Sequence, residues 1–344
     1  ALDIPKDRSV HAVPTPTLGG AAMFLGIVGA LAAASTLSEF SVSFVPISLI
    51  PPTEMVGILI GTTIVFAVGV IDDLKALTVP IRIAGQVVAA GLAFLSGVRL
   101  EYFGFPLIGT ISLSPDLQAI ITIIWIVAIC NALNWIDGLD GLAAGITAIA
   151  AGTFFFYAYR LATLRLATEV NAPLLCIALL GVTVAFLRFN FNPARIIMGS
   201  TGAYQLGFLV AAATAVGVGR ASPINPFTES RFILFYLPIA IPLSLLAIPI
   251  IDTLAAVVRR ARRGQYIFQA DKEHLHHRLM EIGHGHRQAV LILYGWTGTI
   301  AGAALAASFV QNRLLVVLFL LMAVALFLYT MLPRIVSSEL TSQK

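Results

Sequence analysis

The sequence predicts an all-α fold in which a bundle of helices crosses a membrane several times. Of the 344 residues, 58% are hydrophobic and 11% are charged, whereas a soluble domain carries about 25% charged residues. The apolar residues also occur in long runs of about 20, the length that a helix needs to cross a bilayer. Because backbone groups in lipid must find their hydrogen bonds within the segment, the spans are expected to be helices.

Run length predicts about ten spans, which follow one another without a soluble insert. Residues 1–344 are therefore expected to form a single integral membrane domain, in which the longest polar stretch, residues 252–288, is a loop. The predicted spans are Gly19–Leu37, Glu54–Ile71, Val79–Gly97, Leu117–Trp135, Leu139–Tyr159, Pro173–Leu187, Ala203–Gly219, Phe232–Ile251, Ala289–Phe309 and Leu314–Leu332.

The distribution of basic residues orients these spans. When the connections are assigned alternately to two sides, most of the 21 Lys and Arg residues fall on the side that holds residues 1–18, 188–202 and 252–288. Positively charged loops remain in the cytoplasm, so this side is predicted to be cytoplasmic. On the other side, aromatic residues among glycine and proline in the segment 99–114 predict a small hairpin.

Two adjacent carboxylates, Asp72 and Asp73, follow the second span directly. Neighbouring carboxylates repel each other and need a cation, a shared proton or good hydration. At the mouth of a bundle they could hold a hard divalent ion or take a proton from an incoming phosphate. The alternative is a helix end that simply turns into water.

A polar stripe follows the fourth span. Asn131, Asn134, Asp137 and Asp140 are spaced by three, which places them along one face of a helix. Four polar groups beside an apolar run are costly unless their face lines a polar cavity. A polar seam between helices is the alternative.

A loop on the predicted cytoplasmic side adds further candidates. The loop that contains Asn190 and Ile197 ends at Ser200 and Thr201, which could cap the next helix. A helix N-terminus at that point would attract an anion. An ordinary connecting loop without a binding role is the alternative.

The loop 252–288 contains a basic run and a histidine cluster. The basic run at Arg259 and Arg260 is typical of an anchor to anionic lipid headgroups. The histidine cluster suits a diphosphate or sugar hydroxyls, and it comprises His274, His276, His277 and Arg278.

The N-terminal segment offers Arg8 and His11 as phosphate contacts on the same side. Five separate segments thus bring acids, amides, histidines and arginines to one face of the bundle. This convergence predicts an active site at the cytoplasmic interface. A transporter is the alternative from a different class, but it would place acids in the middle of several spans.

Taken together, these segments resemble the polyprenyl-phosphate N-acetylhexosamine-1-phosphate transferase family, in order from Asp3 to about Gly283. The run Asn131-Ala-Leu-Asn134-Trp-Ile-Asp137-Gly-Leu-Asp140-Gly-Leu-Ala143 carries the resemblance most specifically. The Asp-Asp pair and the Pro-Ala-x-x-x-Met-Gly segment at 193–199 support it. The His-x-His-His pattern at 274–277 is similar to that of the branch that joins UDP-N-acetylglucosamine to undecaprenyl phosphate.

The resemblance implies a reaction and its participants. N-acetylhexosamine 1-phosphate, expected to be GlcNAc-1-phosphate, would pass from the UDP-sugar to undecaprenyl phosphate with release of UMP. The product would be the lipid-linked diphosphate sugar that starts cell-envelope polysaccharide synthesis. The resemblance further implies Mg²⁺ or Mn²⁺, surrounding membrane lipid, no nucleic-acid partner, and a bacterial inner membrane with the active site on the cytoplasmic face. It leaves a homodimer open, and it implies one more span before Asp3, eleven in the native protein.

Residue roles follow from the same resemblance. Asp72, Asp73 and Asp140 are expected to be catalytic, and Asp72, Asp73 and position 200 to face the metal. The expected substrate contacts are Arg8, His11, Asn131, Asn134, Asp137, Asn190, Ile197, His274, His276, His277 and Arg278.

The sequence departs from the family pattern at one loop. The family usually reads Phe-Met-Gly-Asp where this chain reads Ile197-Met198-Gly199-Ser200. The family's Asp is its metal ligand, and a neutral serine hydroxyl is a poor ligand for a hard dication. Ile197 keeps an apolar floor where the family's Phe would stack on uracil. An impaired or non-catalytic member that binds UDP-sugar and lipid is therefore the alternative function.

Overall fold

The fold is described from a computed structural model, which covers residues 2–3, 15–17, 19–36, 54–105, 109–163, 171–218, 243, 246–264, 274–309 and 313–342. Within these ranges the chain forms eleven helices. They are α1 (Gly19–Ser35), α2 (Glu54–Lys75), α3 (Val79–Leu95), α4 (Pro115–Ile136), α5 (Leu142–Thr163), α6 (Asn171–Asn190), α7 (Gly199–Val218), α8 (Ala247–Arg262), α9 (Leu275–Ile282), α10 (His286–Phe309) and α11 (Arg313–Ser342).

The described strands form two short antiparallel pairs. β1 (Leu2–Asp3) pairs with β2 (Thr15–Pro16), and β3 (Tyr102–Phe105) pairs with β4 (Gly109–Ser112). The second pair confirms the hairpin predicted within residues 99–114. Apart from these two short pairs the regular structure of the described residues is helical, so the molecule is an all-α bundle, as predicted.

Helix α7 lies at the centre of the bundle and contacts α1, α2, α4, α5 and α6. Its sequence permits this position because it is rich in alanine, and small side chains let neighbouring helix backbones approach closely. Ala203, Ala211, Ala212 and Ala215 are all buried completely. A helix buried on every side carries no amphipathic pattern, so its central place could not be deduced from periodicity.

The remaining helices pack around this centre in two groups. α2, α3 and α4 follow one another as neighbours, and α5 packs on α6 and on α10. α10 in turn contacts α9 and α11, while α8 contacts α4 and α10. His276 of α9 packs on Gly138, which brings the histidine cluster beside the polar end of α4.

The helices begin and end within a few residues of the predicted spans. One predicted span lies mostly outside the described residues. That span, Phe232–Ile251, is described at its end, where α8 continues to Arg262 instead of stopping before Asp252. Ile251, Leu254 and Val258 are exposed apolar residues at helical spacing, so the apolar face extends past the first charge. The predicted loop 252–288 thus contains part of α8, all of α9 and the start of α10.

Five of the described helices are long and apolar enough to cross a membrane: α2, α4, α6, most of α5, and α10 as far as Ala307. α1, α3 and residues 317–332 of α11 are shorter apolar helices. Large apolar side chains are exposed on the outer faces of these helices, among them Leu25, Ile124 and Leu321. Such a surface suits lipid contact, and the chain is a multi-pass membrane protein.

Candidate active site

The N-terminus of α7 is capped by a carboxylate from another helix. Asp73, near the end of α2, accepts hydrogen bonds from the backbone N–H of Ser200 (2.8 Å), the backbone N–H of Thr201 (3.1 Å) and the Thr201 hydroxyl (2.6 Å). These N–H groups have no partner within α7, and the helix dipole favours a negative charge beside them. The anion expected at this helix end is therefore supplied by the protein itself.

Glycine is required at the start of this helix. Gly199 has a φ of +66°, a left-handed backbone conformation that residues with a Cβ rarely adopt. A Cβ at this position would lie 2.5 Å from Oδ2 of Asp73. The Met-Gly sequence thus allows the Asp73 carboxylate to reach the helix end.

The neighbouring carboxylate, Asp72, belongs to a different cluster. Its Oδ1 accepts a hydrogen bond from the backbone N–H of Leu77 at 2.9 Å. Its Oδ2 accepts one from the Tyr204 hydroxyl at 3.3 Å and forms an ion pair with Arg82 at 3.5 Å. The Arg82 guanidinium also donates to the Tyr204 oxygen at 3.4 Å. The Ser200 side chain lies close to the same phenol. Position 200 therefore faces the Asp72–Arg82–Tyr204 cluster.

The first two members of the polar stripe have different surroundings. Asn131 donates to the side-chain oxygen of Gln86 at 2.6 Å and to the backbone oxygen of Val127 at 2.8 Å, so it joins α3 to α4. For Asn131 the structure therefore shows a polar seam between helices, which is the alternative interpretation of the stripe. Asn134 is partly exposed, and its side chain has no hydrogen bond to any described residue.

Asp137 follows the end of α4 and is the least satisfied acid of the site. It is partly exposed, and its carboxylate accepts no hydrogen bond from the described residues. The density of protein around the carboxylate, and then the negative charges of Asp73 and Asp140, raise the pKa of Asp137 to about 7. A carboxylate in this position gains from a cation or a donor brought by a ligand.

Asp140 fixes the loop after α6. Its Oδ2 accepts hydrogen bonds from the Asn192 side chain (2.9 Å) and from the backbone N–H of Ala194 (3.0 Å). Its own backbone N–H donates to Nε2 of His286 at 3.0 Å. Asp140 is buried, so these bonds orient it firmly and tie α10 to the same loop.

Asn190 is a second link between the same segments. Its side-chain oxygen accepts a hydrogen bond from the backbone N–H of Gly141 at 3.0 Å, and its side-chain nitrogen donates to the backbone oxygen of Ile196 at 2.9 Å. Asn190 is buried with both polar ends satisfied. It was predicted as a substrate contact, and in the structure it holds the loop that carries Ile197 against the polar stripe.

The histidine cluster is anchored by an acid of α8. Asp252 lies 2.7 Å from Nδ1 of His274 and accepts a hydrogen bond from the backbone N–H of Leu275 at 2.8 Å. Because Leu275 is the first residue of α9, the Asp252 carboxylate also serves the N-terminus of that helix. This pairing fixes the orientation of α9.

His276 brings α9 into contact with the polar stripe. A Cβ at Gly138 would lie 2.5 Å from Nε2 of His276, so the imidazole packs directly on the backbone beside Asp137. His276 is buried, and its Nδ1 has no hydrogen-bond partner among the described residues. Burial, and then the neighbouring His277, lower the pKa of His276 to about 3, so the ring is neutral. A buried neutral ring with an unused nitrogen is suited to binding a polar ligand.

The other cations of this region have distinct surroundings. The Arg260 guanidinium lies 5.1 Å from the ring centroid of Trp135 and is buried. Arg260 therefore packs on the end of α4 and does not extend towards lipid headgroups as an anchor would. Arg278 is exposed on α9 and lines an apolar pocket between α9 and α11.

The structure thus brings the Asp72–Asp73 pair, the polar stripe, the Ser200 loop and the histidine cluster to one end of the bundle. Ile197 joins them through its backbone, because it donates to the Pro16 oxygen (2.9 Å) and accepts from Gly19 (3.1 Å). Arg8 and His11 lie outside the described residues. Their predicted phosphate contacts remain predictions.

Several residues of the site were missed by sequence reasoning. Arg82 and Tyr204 lie within predicted spans, and Asp252 sits at the edge of another. Asn192 and His286 both contact Asp140, but the sequence around them has no pattern that marks them as site residues. The one signal available was the presence of a cation and a phenol inside apolar runs, where polar groups are costly unless they have a function or a partner.

The acids and histidines of the site are the residues that could hold a metal ion. Among the described residues, no group of three or more His, Cys, Asp or Glu side chains is arranged to hold one. Mg²⁺, however, usually keeps several waters and binds through one or two carboxylates together with substrate phosphates. Asp137, with a carboxylate that accepts no described hydrogen bond and with two further acids nearby, fits that mode of binding.

Known proteins resemble this chain over most of its length. The family model described as Glycosyl transferase family 4 matches residues 55–218. A decaprenyl-phosphate N-acetylglucosaminephosphotransferase of Mycobacterium tuberculosis (strain ATCC 25618 / H37Rv) is 36% identical over 317 residues, which cover 91% of this chain and 77% of the relative.

Two further relatives carry related names. A probable undecaprenyl-phosphate N-acetylglucosaminyl 1-phosphate transferase of Bacillus subtilis (strain 168) is 31% identical over 323 residues, which cover 93% of this chain and 82% of the relative. An undecaprenyl-phosphate alpha-N-acetylglucosaminyl 1-phosphate transferase of Yersinia pestis is 27% identical over 339 residues, which cover 93% of this chain and 81% of the relative.

Proposed function

The chain is a phosphoglycosyltransferase that belongs to glycosyl transferase family 4, and on this premise we propose that it transfers N-acetylglucosamine 1-phosphate from UDP-N-acetylglucosamine to a polyprenyl phosphate and releases UMP. The names of the relatives support the sugar phosphate and the class of acceptor. The UDP donor and the release of UMP follow from the resemblance of the motifs. We further propose that the reaction takes place at the cytoplasmic face of an inner membrane, because the basic residues concentrate on the side of the site.

The observation that carries the proposal is the contact between His276 and Gly138. It joins the histidine cluster to the polar stripe, two segments separated by more than a hundred residues of sequence. A donor bound there would have acids, amides and imidazoles nearby at one end of the bundle, where a lipid acceptor can meet a water-soluble donor.

The chemistry is an exchange at phosphorus. An oxygen of the acceptor phosphate attacks the phosphorus that is bonded to the sugar, and the bond from that phosphorus to the bridging oxygen breaks. The electron pair leaves with UMP. Because two anions must meet, the protein contributes mainly by offsetting their charge and holding them in line.

Arg82 is placed to offset that charge. Its guanidinium is partly exposed and is held by Asp72 and Tyr204. We propose that it receives the acceptor phosphate and that Asp72, which the resemblance predicts to be catalytic, orients it. Asp73 would act through the N-terminus of α7, which it holds in place.

Asp137 is the residue that we propose for a divalent ion. When bound, Mg²⁺ or Mn²⁺ would neutralise charge on the diphosphate of the donor. Asp72, Asp73 and Ser200 remain predicted ligands, but Asp72 is engaged by Arg82, and Asp73 by Ser200 and Thr201. Asn134 and the free nitrogen of His276 are the donors that we assign to uridine and sugar.

The test is a transfer assay on the purified chain in detergent, with UDP-N-acetylglucosamine, decaprenyl phosphate and Mg²⁺, in which UMP release is measured. Asp72→Asn should lower turnover by about a hundredfold, the size of effect expected from losing one oriented charge. Asp116→Asn is the matched control, because Asp116 is an exposed acid at the opposite end of α4. Unchanged turnover in a folded Asp72→Asn variant would remove Asp72 from the chemistry. Binding of the donor without any turnover in the wild type would support the non-catalytic alternative that Ser200 raises.

A further inference from the structure

A buried glutamine of α3 contacts the polar stripe. Gln86 is completely buried, and its side-chain oxygen accepts the hydrogen bond that Asn131 of α4 donates at 2.6 Å. Gln86 follows Arg82 by four residues, which places both side chains on the same face of α3 and about 6 Å apart along the helix axis. It therefore lies one helical turn from the cation that is proposed to receive the acceptor phosphate.

The contacts of Asn131 fix the direction of both side-chain amides. A backbone oxygen can only accept a hydrogen bond, so the Asn131 atom that lies 2.8 Å from the Val127 oxygen is the nitrogen. The same nitrogen lies 2.6 Å from Gln86, whose contacting atom must then be its oxygen. Both amide hydrogens of Asn131 are thus used within the protein. Neither amide can turn over without bringing two donors or two acceptors together.

The side-chain oxygen of Asn131 is the group that this arrangement leaves for a ligand. It has no hydrogen bond to any described residue, and Asn131 is partly exposed. Asn134 follows Asn131 by three residues within α4, so the two amides share one face of the helix at the site end of the bundle. An amide held in this way presents a hydrogen-bond acceptor, and no donor, on that face.

The unsatisfied nitrogen of Gln86 argues for a role beyond packing. Its Nε2 is buried and has no hydrogen-bond partner among the described residues. A buried donor without a partner is unfavourable, and an apolar side chain of similar length would avoid that cost. Gln86 is therefore a poor choice for joining α3 to α4 by packing alone. Local choices that lower stability are typical of functional sites.

We propose that Gln86 is a positioning residue, which holds the Asn131 amide so that the Asn131 side-chain oxygen accepts a hydrogen bond from an N–H or O–H group of the nucleotide sugar. This proposal rests on the proposed function, because that function supplies the nucleotide sugar. It adds a buried residue of α3 to the recognition of the donor substrate. It also gives the seam between α3 and α4 a purpose in the site.

Gln86→Met in the full chain tests the proposal, since methionine has a similar length and no amide. The KM for UDP-N-acetylglucosamine should rise about tenfold, the size of effect expected from losing one hydrogen bond. The KM for decaprenyl phosphate should not change. The melting temperature should not fall, because the substitution also removes the unsatisfied donor. Gln86→Glu keeps an oxygen that can accept from Asn131, and its KM for the nucleotide sugar should stay close to the wild-type value.

A double-mutant cycle distinguishes this role from a packing role. Asn131→Ala should itself raise the KM for the nucleotide sugar, and Gln86→Met should add nothing in that background, because Gln86 acts through Asn131. Independent effects, an equal rise in KM for both substrates, or no rise in Gln86→Met would overturn the proposal. Gln118→Met is the matched control, because Gln118 donates to the Leu113 oxygen at the opposite end of α4. It should leave both KM values unchanged.

A second measurement does not depend on turnover. Calorimetric titration of UDP-N-acetylglucosamine into the wild-type chain, Gln86→Met and Gln86→Glu, with Mg²⁺ in detergent, should show a weaker Kd for Gln86→Met alone. Equal Kd values for the wild type and Gln86→Met would overturn the proposal, whether or not transfer occurs. A wild-type chain that binds the nucleotide sugar without transfer would count against the proposed function only. A wild-type chain that neither binds nor transfers would overturn both.

Discussion

The imidazole of His276 packs on Gly138 so closely that a Cβ on this glycine would lie 2.5 Å from Nε2. Since the ring is buried, it has little room to move away. One backbone position thus sets the distance between the histidine cluster and the acids of the polar stripe.

Gly138→Ala should therefore push α9 away from the polar stripe. We expect a loss of about 1–3 kcal/mol in stability, the usual cost of overpacking, and a fall in turnover of at least tenfold. Thermal unfolding in detergent and UMP release measure the two effects. Gly181→Ala is the matched control, because Gly181 is an exposed helical glycine whose added Cβ would meet no atom within 4 Å. A Gly138→Ala variant as active as Gly181→Ala would show that this contact does not position the site.

Asp73 is expected to act on stability as well as on activity. Asp73→Ala removes the acceptor of two backbone N–H groups and of the Thr201 hydroxyl, and should destabilise the protein by about 1–2 kcal/mol. Asp73→Asn retains one acceptor oxygen and should cost less. Thermal unfolding gives the order of the three proteins. If Asp73→Ala melts at the wild-type temperature while transfer is lost, the carboxylate acts in the chemistry and not as a cap.

The neutral state of His276 makes stability depend on pH. Its pKa of about 3 in the folded chain is well below the ordinary value of 6.5. Between these values an unfolded chain binds a proton that the folded chain does not, so this contribution to stability is complete above pH 6.5 and declines as the pH falls. At pH 5.5 the loss should approach about 1.4 kcal/mol.

The measurement is thermal unfolding at pH 7.5 and at pH 5.5. His276→Gln should reduce the difference between the two melting temperatures, because the titrating group is gone. His277→Gln, a change on the same helix at a partly exposed ring, should retain most of it. An undiminished difference in His276→Gln would assign the pH dependence to other groups.

Most helices and the acids of the site could be predicted from the sequence. The hydrogen-bond and ion-pair partners of those acids, and the neighbours of each helix, could not. Run length placed the spans, but the helical face predicted for the polar stripe is wrong beyond Ile136, because α4 ends there and Asp137 and Asp140 lie in the following turn. The partners of Asp72 and Asn131 are Arg82 and Gln86, which lie in predicted spans where no pattern marks them. Which helices become neighbours is decided by packing around α7, and a helix buried on all sides has no periodic pattern to show it.

The boundary of α8 shows a second limit. Counting an apolar run stops at the first charge, Asp252, whereas the helix continues to Arg262. The reason is that Asp252 is buried against His274, a partner that lies 22 positions later in the sequence. Charge alone could not distinguish this acid from one that begins a loop.

Ser200 offers the sharpest test of how the site holds a metal. Its backbone N–H binds Asp73 and its hydroxyl faces Tyr204, so an acid at this position would add a carboxylate between the Asp73 cap and the Asp72–Arg82–Tyr204 cluster. Ser200→Asp should strengthen Mn²⁺ binding about tenfold, because a charged oxygen ligand replaces a neutral hydroxyl. Bound Mn²⁺ is counted by electron paramagnetic resonance, and Mg²⁺-dependent UMP release should rise in parallel.

Ser200→Asn is the control for this change, since it has the size of aspartate without the charge. It should bind Mn²⁺ no better than the wild type. If Ser200→Asp also leaves Mn²⁺ binding and transfer unchanged, position 200 is not a ligand position in this chain. Asp137→Asn should then weaken Mn²⁺ binding in the otherwise wild-type protein, as expected if Asp137 holds the ion together with the diphosphate.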